Sequence, residues 1–234
     1  MSEETSEVGA MDVARRFRFV IFDMDGVLLD TEPLYTVAFD RVLAPFGCSL
    51  DRVTKAQLMG RPAAESTRIV LARYGLPLTP AEFQTRLRVA VTEVFADPPA
   101  MPGAPALIAD LAARGVAMAV ATSTARELFV QKTAGHPWFA SFSVVVCGDD
   151  PEVAAPKPAP DIFLVAARRL GADPAACLIV EDSPLGLAAA RAAGGHVVAL
   201  VGEEDEGEGH ACAHRRVRTC SELACLCVAP PERA

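Results

Sequence analysis

The chain has 234 residues, 51 % of them apolar, and a formal net charge of −8 at pH 7. That length accommodates one α/β core with an insert, or two small domains, and the acidic balance argues against duplex nucleic acid or an anionic membrane as a partner. No stretch approaches the roughly 18 uninterrupted apolar residues of a membrane span, no apolar segment follows a basic start, and the odd count of seven cysteines fits a reducing cytosol.

Residues 1–16 are polar and acidic (Glu3, Glu4, Glu7, Asp12) and are expected to form a disordered tail. Phe17 to Phe22 then reads as a strand buried on both faces, as in a parallel sheet. It ends on Asp23 and Asp25, with one residue between them and Gly26 directly after. Two carboxylates have no place at the end of a buried strand unless something neutralises them. Their side chains point the same way if the extended geometry persists, and paired anions invite a hard cation such as Mg²⁺. An Asx-type turn leading into the next helix is the plainer alternative. That helix starts at Thr31-Glu32-Pro33, with Asp30 or Thr31 as its cap.

From 34 to 99 the apolar spacing is helical throughout, with breaks at Pro45-Phe46-Gly47, Gly60-Arg61-Pro62, Gly75-Leu76-Pro77 and Asp97-Pro98-Pro99. Thr79-Pro80-Ala81-Glu82 has the form of a helix start, with a cap, a proline and a first-turn acid. The block lacks strand signals and is expected to be a separate helical domain inserted after the first strand.

From residue 100 onward strands alternate with helices. Val116 to Ala121, Val144 to Cys147, Cys177 to Val180 and His196 to Val201 read as strands, and 104–114, 160–170 and 185–193 as helices. Such alternation predicts a parallel sheet with right-handed crossovers. A short strand and a helix are expected over 217–226, and Arg215-Arg216-Val217-Arg218 reads as a solvated strand edge. The run Glu203-Glu204-Asp205-Glu206-Gly207-Glu208 reads as a solvated segment. Cys48, Cys147 and Cys177 sit among apolar residues and are expected in the core. Cys212, His214, Cys220, Cys225 and Cys227 cluster near the end at spacings that match no usual zinc pattern.

Three further strand ends carry polar groups. Ala121-Thr122-Ser123 places hydroxyls and backbone N–H groups before a helix, a ready phosphate cradle or an ordinary helix cap. Pro156-Lys157-Pro158 holds a lysine in a stiff loop, and a fixed ammonium suits charge neutralisation. Leu178-Ile179-Val180 ends on Glu181-Asp182, followed by Ser183-Pro184, either a second acidic cluster or a helix start.

Asp23-x-Asp25-Gly26, Thr122-Ser123, Lys157-Pro158-x-Pro160-Asp161 and Glu181-Asp182, in this order at strand ends, resemble the four motifs of the haloacid dehalogenase superfamily. The resemblance implies a Rossmann-like parallel sheet core (17–33 and 100–234) with an inserted α-helical cap (34–99). It implies a Mg²⁺-dependent phosphatase acting through an aspartyl-phosphate. Asp23 would be the nucleophile and Asp25 the general acid/base. Thr122, Ser123 and Lys157 would bind the phosphate, and Asp23, Asp25, Asp182 and Glu181 would surround the metal. The family usually has glycine where this chain has Pro156. Leu58-Met59-Gly60-Arg61 and Gly148-Asp149-Asp150-Pro151-Glu152-Val153 resemble the branch that acts on pseudouridine 5′-phosphate, glycerol phosphate and flavin mononucleotide. The expected substrate is therefore pseudouridine 5′-phosphate or a similar sugar phosphate, with Arg61 of the cap as its specificity contact. A β-phosphoglucomutase-like sugar-phosphate mutase, or a glycerol-phosphate or flavin mononucleotide phosphatase, is the alternative. The expected partner is a small phosphorylated metabolite, not nucleic acid or membrane, for a cytoplasmic monomer.

Overall fold

The structure is a computed structural model and describes residues 17–58, 61, 63–202 and 210–227. The expected tail (1–16), Met59, Gly60 and Pro62 of the insert, and the acidic run at 203–208 lie outside the described residues.

Six parallel strands form one sheet among the described residues: β1 (Phe19–Phe22), β2 (Ala117–Ala121), β3 (Val144–Val146), β4 (Cys177–Glu181), β5 (His196–Leu200) and β6 (Arg215–Val217). Their order is β3-β2-β1-β4-β5-β6. The chain builds outward from β1 to β3, then returns to the other side of β1. That reversal sets β1 between β2 and β4 and opens a crevice at their carboxyl ends, where such sheets bind ligands. The apolar run is continuous because both faces are covered. Val20 and Phe22 face one core with Leu178 and Val180, under α5 (Ala104–Ala113) and the amino-terminal side of α6 (Arg126–Thr133). Ile21 and Ile179 face the other, under α7 (Asp161–Arg169) and α8 (Pro184–Ala192). The last helix, α9 (Cys220–Ala224), packs on α5.

Between β1 and α5 the chain is helical: α1 (Glu32–Leu43), α2 (Arg52–Leu58), α3 (Ala63–Tyr74) and α4 (Pro80–Val94). A third core belongs to these helices alone, around Ala38, Leu43, Val70 and Phe83. The two passages between sheet and insert run side by side: Met101 N donates to Leu28 O (2.9 Å) and Asp30 N to Pro99 O (2.8 Å).

Most boundaries fall within a residue or two of the sequence reading. β1 is the clearest difference. It begins at Phe19, because Phe17 leaves the sheet to donate its N–H to Leu226 O (2.8 Å) and bridge Cys227. Thr79 and Glu82 form the full capping box of α4. Thr31 stands at the N-cap of α1, yet its side chain makes no capping bond. Cys147 and Cys177 are buried as expected, whereas Cys48 is half-buried, with its thiol donating to Phe46 O. Arg215–Val217 is the expected edge strand. Among the described residues no helix is long and apolar enough to cross a membrane, and no three His, Cys, Asp or Glu side chains, the carboxyl-terminal cysteines included, are gathered to hold a metal as they stand.

Candidate active site

Asp23 leaves the centre of the sheet, its N–H donating to Val180 O of β4 (2.9 Å). The chain then folds back at once, as Leu28 N and Leu29 N both donate to Met24 O (2.9 and 3.0 Å). Gly26 makes this reversal at φ +80°, and a Cβ there would lie 1.9 Å from Asp182 Oδ2. Only glycine accepts both the left-handed backbone and this approach, so the Asp23–Gly26 turn and the end of β4 are packed as one unit.

Lys157 ties the unit together. Its ammonium donates to Asp23 Oδ1 (2.5 Å), Glu181 Oε1 (2.6 Å) and Ala121 O (3.2 Å), and lies 4.8 Å from the centroid of Phe163. Pro156 does not keep the lysine from Asp23; the Lys157–Pro158 peptide is cis. Burial alone would lower the Lys157 pKa, but Asp23 and Glu181 outweigh it and hold the ammonium above its ordinary range. Burial pushes Asp23 up to about 7 against the pull of Lys157, with Glu181 and Asp25 adding to the rise. Asp182 is held well above the usual carboxylate range by burial, then by Glu181 and Asp23.

Glu181 is spent on structure. Its Oε2 accepts from Asp182 N (2.9 Å), Ser183 N (2.8 Å) and Ser183 Oγ (3.0 Å), while Oε1 takes Lys157. A Cβ on Gly186 would come within 1.7 Å of Oε1, so α8 begins tight against it. The other reading of this segment, a helix start, also holds: Ser183 Oγ accepts from Gly186 N (3.1 Å).

At the end of β2, Thr122 is 1 % exposed and its Oγ1 accepts from Thr124 N (3.1 Å). Ser123 is exposed, with its carbonyl against Gly148, where a Cβ would lie 2.3 Å away. Neither Ser123 nor Thr124 caps α6. The N-cap is Ala125, and Asp149 Oδ1 accepts from Arg126 N (2.9 Å) instead. Thr124 turns inward and donates to Asp25 Oδ2 (2.8 Å). The Gly-Asp-Asp-Pro-Glu-Val run thus serves the structure, since Asp149 caps α6 while Asp150 and Glu152 grip Arg169 (2.6 to 2.8 Å).

The sequence reading missed Lys132. It is wholly buried on α6, and its ammonium donates to Asp25 Oδ1 (2.6 Å). It lies 4.4 Å from the centroid of Phe95, just beyond α4. Its signal was a lysine three residues after Phe129, on the same face of the helix as that buried ring. Arg61, by contrast, is far from buried: its Nε donates to Gln57 O (2.6 Å) and its guanidinium pairs with Glu65.

The donor set suits a hard divalent cation. Asp23 lies in electrostatic contact with Asp25 and Asp182, and Asp23 and Asp182 are pushed upward by burial and by repulsion, from Glu181 first, that a cation relieves. As arranged, Asp23 is turned to Lys157 and Asp25 to Lys132 and Thr124. With Glu181 fully engaged, Asp23 and Asp182 are the side chains best able to hold a metal.

A family model described as haloacid dehalogenase-like hydrolase matches residues 20–200. The chain is 42 % identical to a Drosophila melanogaster protein named "Probable pseudouridine-5'-phosphatase", over 81 % of this chain and 84 % of that one. It is 41 % identical to (DL)-glycerol-3-phosphatase 2 of Arabidopsis thaliana, over 76 % and 77 %. The crystal structure of CbbY from Rhodobacter sphaeroides in complex with phosphate superposes with a TM-score of 0.72 at 30 % identity, covering 90 % of this chain and 99 % of that one.

Proposed function

Because the chain belongs to the haloacid dehalogenase-like hydrolases and is a phosphoric monoester hydrolase, we propose that it cleaves a small sugar phosphate, pseudouridine 5′-phosphate or a near relative, with Mg²⁺ and through an aspartyl-phosphate. The observation that carries this reading is the contact of the Lys157 ammonium with Asp23 at 2.5 Å, in the crevice between β1, β2 and β4. The same ammonium reaches Ala121 O at the end of β2 (3.2 Å), next to the buried Thr122, which supports a phosphate seat there.

Asp23 attacks phosphorus with a carboxylate oxygen as the ester P–O bond breaks. The bond's electron pair goes to the leaving oxygen, which takes a proton from Asp25. Asp25 then removes a proton from water, whose oxygen attacks the aspartyl-phosphate and releases orthophosphate and the Asp23 carboxylate. Thr122, the Ser123 N–H and Lys157 hold the non-bridging oxygens, and Lys157 counters charge that would repel an anionic attacker. Asp23 and Asp182 would hold Mg²⁺, which would supply further charge neutralisation for the transferring phosphoryl group. The helical insert serves as a cap that excludes water and contacts the leaving portion. The Drosophila and Arabidopsis relatives support the choice of substrate, and the free thiols accord with a cytoplasmic location.

A phosphate-release screen over sugar phosphates, nucleotides, glycerol phosphate and flavin mononucleotide tests the reading. Release from a small monoester, requiring Mg²⁺ and no bisphosphate activator, is expected. Interconversion of sugar phosphates without net phosphate release would overturn it in favour of a mutase.

A further inference from the structure

We infer that Lys132, together with Thr124, is the positioning device for Asp25 and aims its carboxyl group at the leaving-group oxygen. The inference rests on the reading of Asp25 as the general acid/base.

Both oxygens of Asp25 are held from the same side, Oδ1 by the Lys132 ammonium at 2.6 Å and Oδ2 by the Thr124 hydroxyl at 2.8 Å. Lys132 and Thr124 also touch each other, at 3.4 Å. Two donors on one carboxyl group remove its freedom to rotate, and each oxygen keeps a second lone-pair direction for a reacting partner. Proton transfer needs this: a group one ångström out of place loses much of its effect. The Asp25 side chain is one-quarter exposed, so it has a path to substrate, whereas Lys132 has none.

The surroundings of Lys132 mark it as built for this contact. A wholly buried ammonium is costly unless paired, and among the described residues its polar contacts are Asp25 and Thr124. The remaining support is aromatic: Phe95 at 4.4 Å and Tyr35 at 5.9 Å, rings that themselves meet edge-on at 4.8 Å. Both rings come from the insert, one on α1 and one just after α4. α6 and the turn after it are fastened to the end of the insert, since Gln131 Nε2 donates to Thr92 O of α4, and His136 Nε2 bonds Pro98 O at 2.7 Å. Lys132 therefore joins the seat of the insert to the orientation of Asp25.

The test compares Lys132→Met, Thr124→Val and Asp25→Asn on two substrates in single-turnover assays. One is the alkyl monoester turned over fastest in the screen. The other is 4-nitrophenyl phosphate, whose leaving group needs little protonation. Lys132→Met is expected to lower the alkyl rate about ten- to a hundredfold, with KM nearly unchanged and a much smaller loss on the aryl ester. Thr124→Val should show the same selectivity at smaller size. Neither change should lower the alkyl rate further in an Asp25→Asn background. Equal losses on the two esters, no loss, or full additivity with Asp25→Asn overturns the assignment. If Lys132→Met does not fold, the nearly isosteric Thr124→Val decides on the same criteria. Should Asp25→Asn itself lack the selective loss, the acid/base reading falls. Should it show that loss while the other two do not, only the positioning role falls.

Discussion

The crevice at the sheet and the helical insert handle charge in opposite ways. At the sheet, Asp23, Glu181, Lys157 and Lys132 are all but excluded from solvent and make contacts more than twenty residues apart in sequence. In the insert the ion pairs lie at the surface: Arg41 with Glu93, Arg61 with Glu65, Arg73 with Asp51. Exposed pairs of that kind contribute little, roughly 0.2–1 kcal/mol, and are free to exchange partners. Breaking a buried pair by removing one member costs about 3–5 kcal/mol, because the other charge is stranded. The sheet end is therefore a fixed arrangement with its charged groups locked in place, while the insert holds its shape through its own apolar core and keeps its charges at the surface.

The sharpest way to break this contrast is at Asp23. Asp23→Asn is nearly isosteric but a poor nucleophile, so phosphate release should fall to background while the fold persists. Retained turnover in undeamidated, folded variant would remove Asp23 from the mechanism. Lys157 keeps Glu181 as a partner at 2.6 Å, so no charge is stranded, and the variant should also melt higher than the wild type in EDTA, with a gap that depends on pH. Burial raises Asp23 in the folded protein to about 7, so between about pH 4 and pH 7 the folded state holds a proton that the unfolded chain has released. Wild-type stability therefore falls as pH rises through that window, and the amide has no such proton to lose. The melting gap should widen from pH 5 to pH 7.5; a gap independent of pH would show that charge at Asp23 is not what strains the site.

Next in size is Gly26→Ala. A methyl group there meets Asp182 Oδ2 at 1.9 Å on a backbone with φ +80°. A left-handed alanine costs about 1–2 kcal/mol before any clash, and Asp182 must also move. We expect a lower melting temperature and about a hundredfold loss of activity, with a raised Mg²⁺ requirement. A smaller gain in melting temperature on adding Mg²⁺ to EDTA-treated variant than to wild type gives a readout independent of turnover. An equal gain in both would separate Gly26 from metal binding.

The same contrast explains how far the sequence could be read. Strand ends announce themselves: β1 and β4 are continuous apolar runs that stop on acids, and their chemistry is adjacent in sequence to the signal. Asp23, Asp25, Thr122 and Asp182 stood out as candidates for that reason, whereas Lys157, in a loop well beyond β3, stood out as a lysine between two prolines. Glu181 was legible as an acid but not in its role, since its bonds to Ser183 and Lys157 depend on how the loop closes. Lys132 was missed because periodicity places a residue on a face without revealing what that face meets. Thr124 has the sequence form of a helix cap, yet Asp149, twenty-three residues from Arg126, supplies the capping oxygen. In the insert, Thr79-Pro80-Ala81-Glu82 gave the start of α4, but nothing local indicated which surface groups reach a substrate.

Arg61 gives the smallest and most discriminating effect. It lies between α2 and α3, bonded to Gln57 O and paired with Glu65, with 45 % of its side chain exposed. An exposed i,i+4 pair contributes about 0.3–0.5 kcal/mol, whereas one hydrogen bond to a charged group is worth about 1.5–3 kcal/mol. Exchanging Glu65 for a polar group on the leaving portion is therefore favourable, and its net value corresponds to about tenfold. Arg61→Ala should lower kcat/KM for the best sugar phosphate by about that factor and leave 4-nitrophenyl phosphate, which has no sugar to contact, almost unchanged. Glu65→Gln, which loosens the resting pair while keeping the arginine, should preserve or slightly raise kcat/KM on the sugar phosphate. A parallel drop on both substrates would make Arg61 a part of phosphate binding or of the seating of the insert. No change on either would leave it a surface residue whose pair with Glu65 is its only role, and the selectivity of the insert would then have to come from other side chains of α1 to α4.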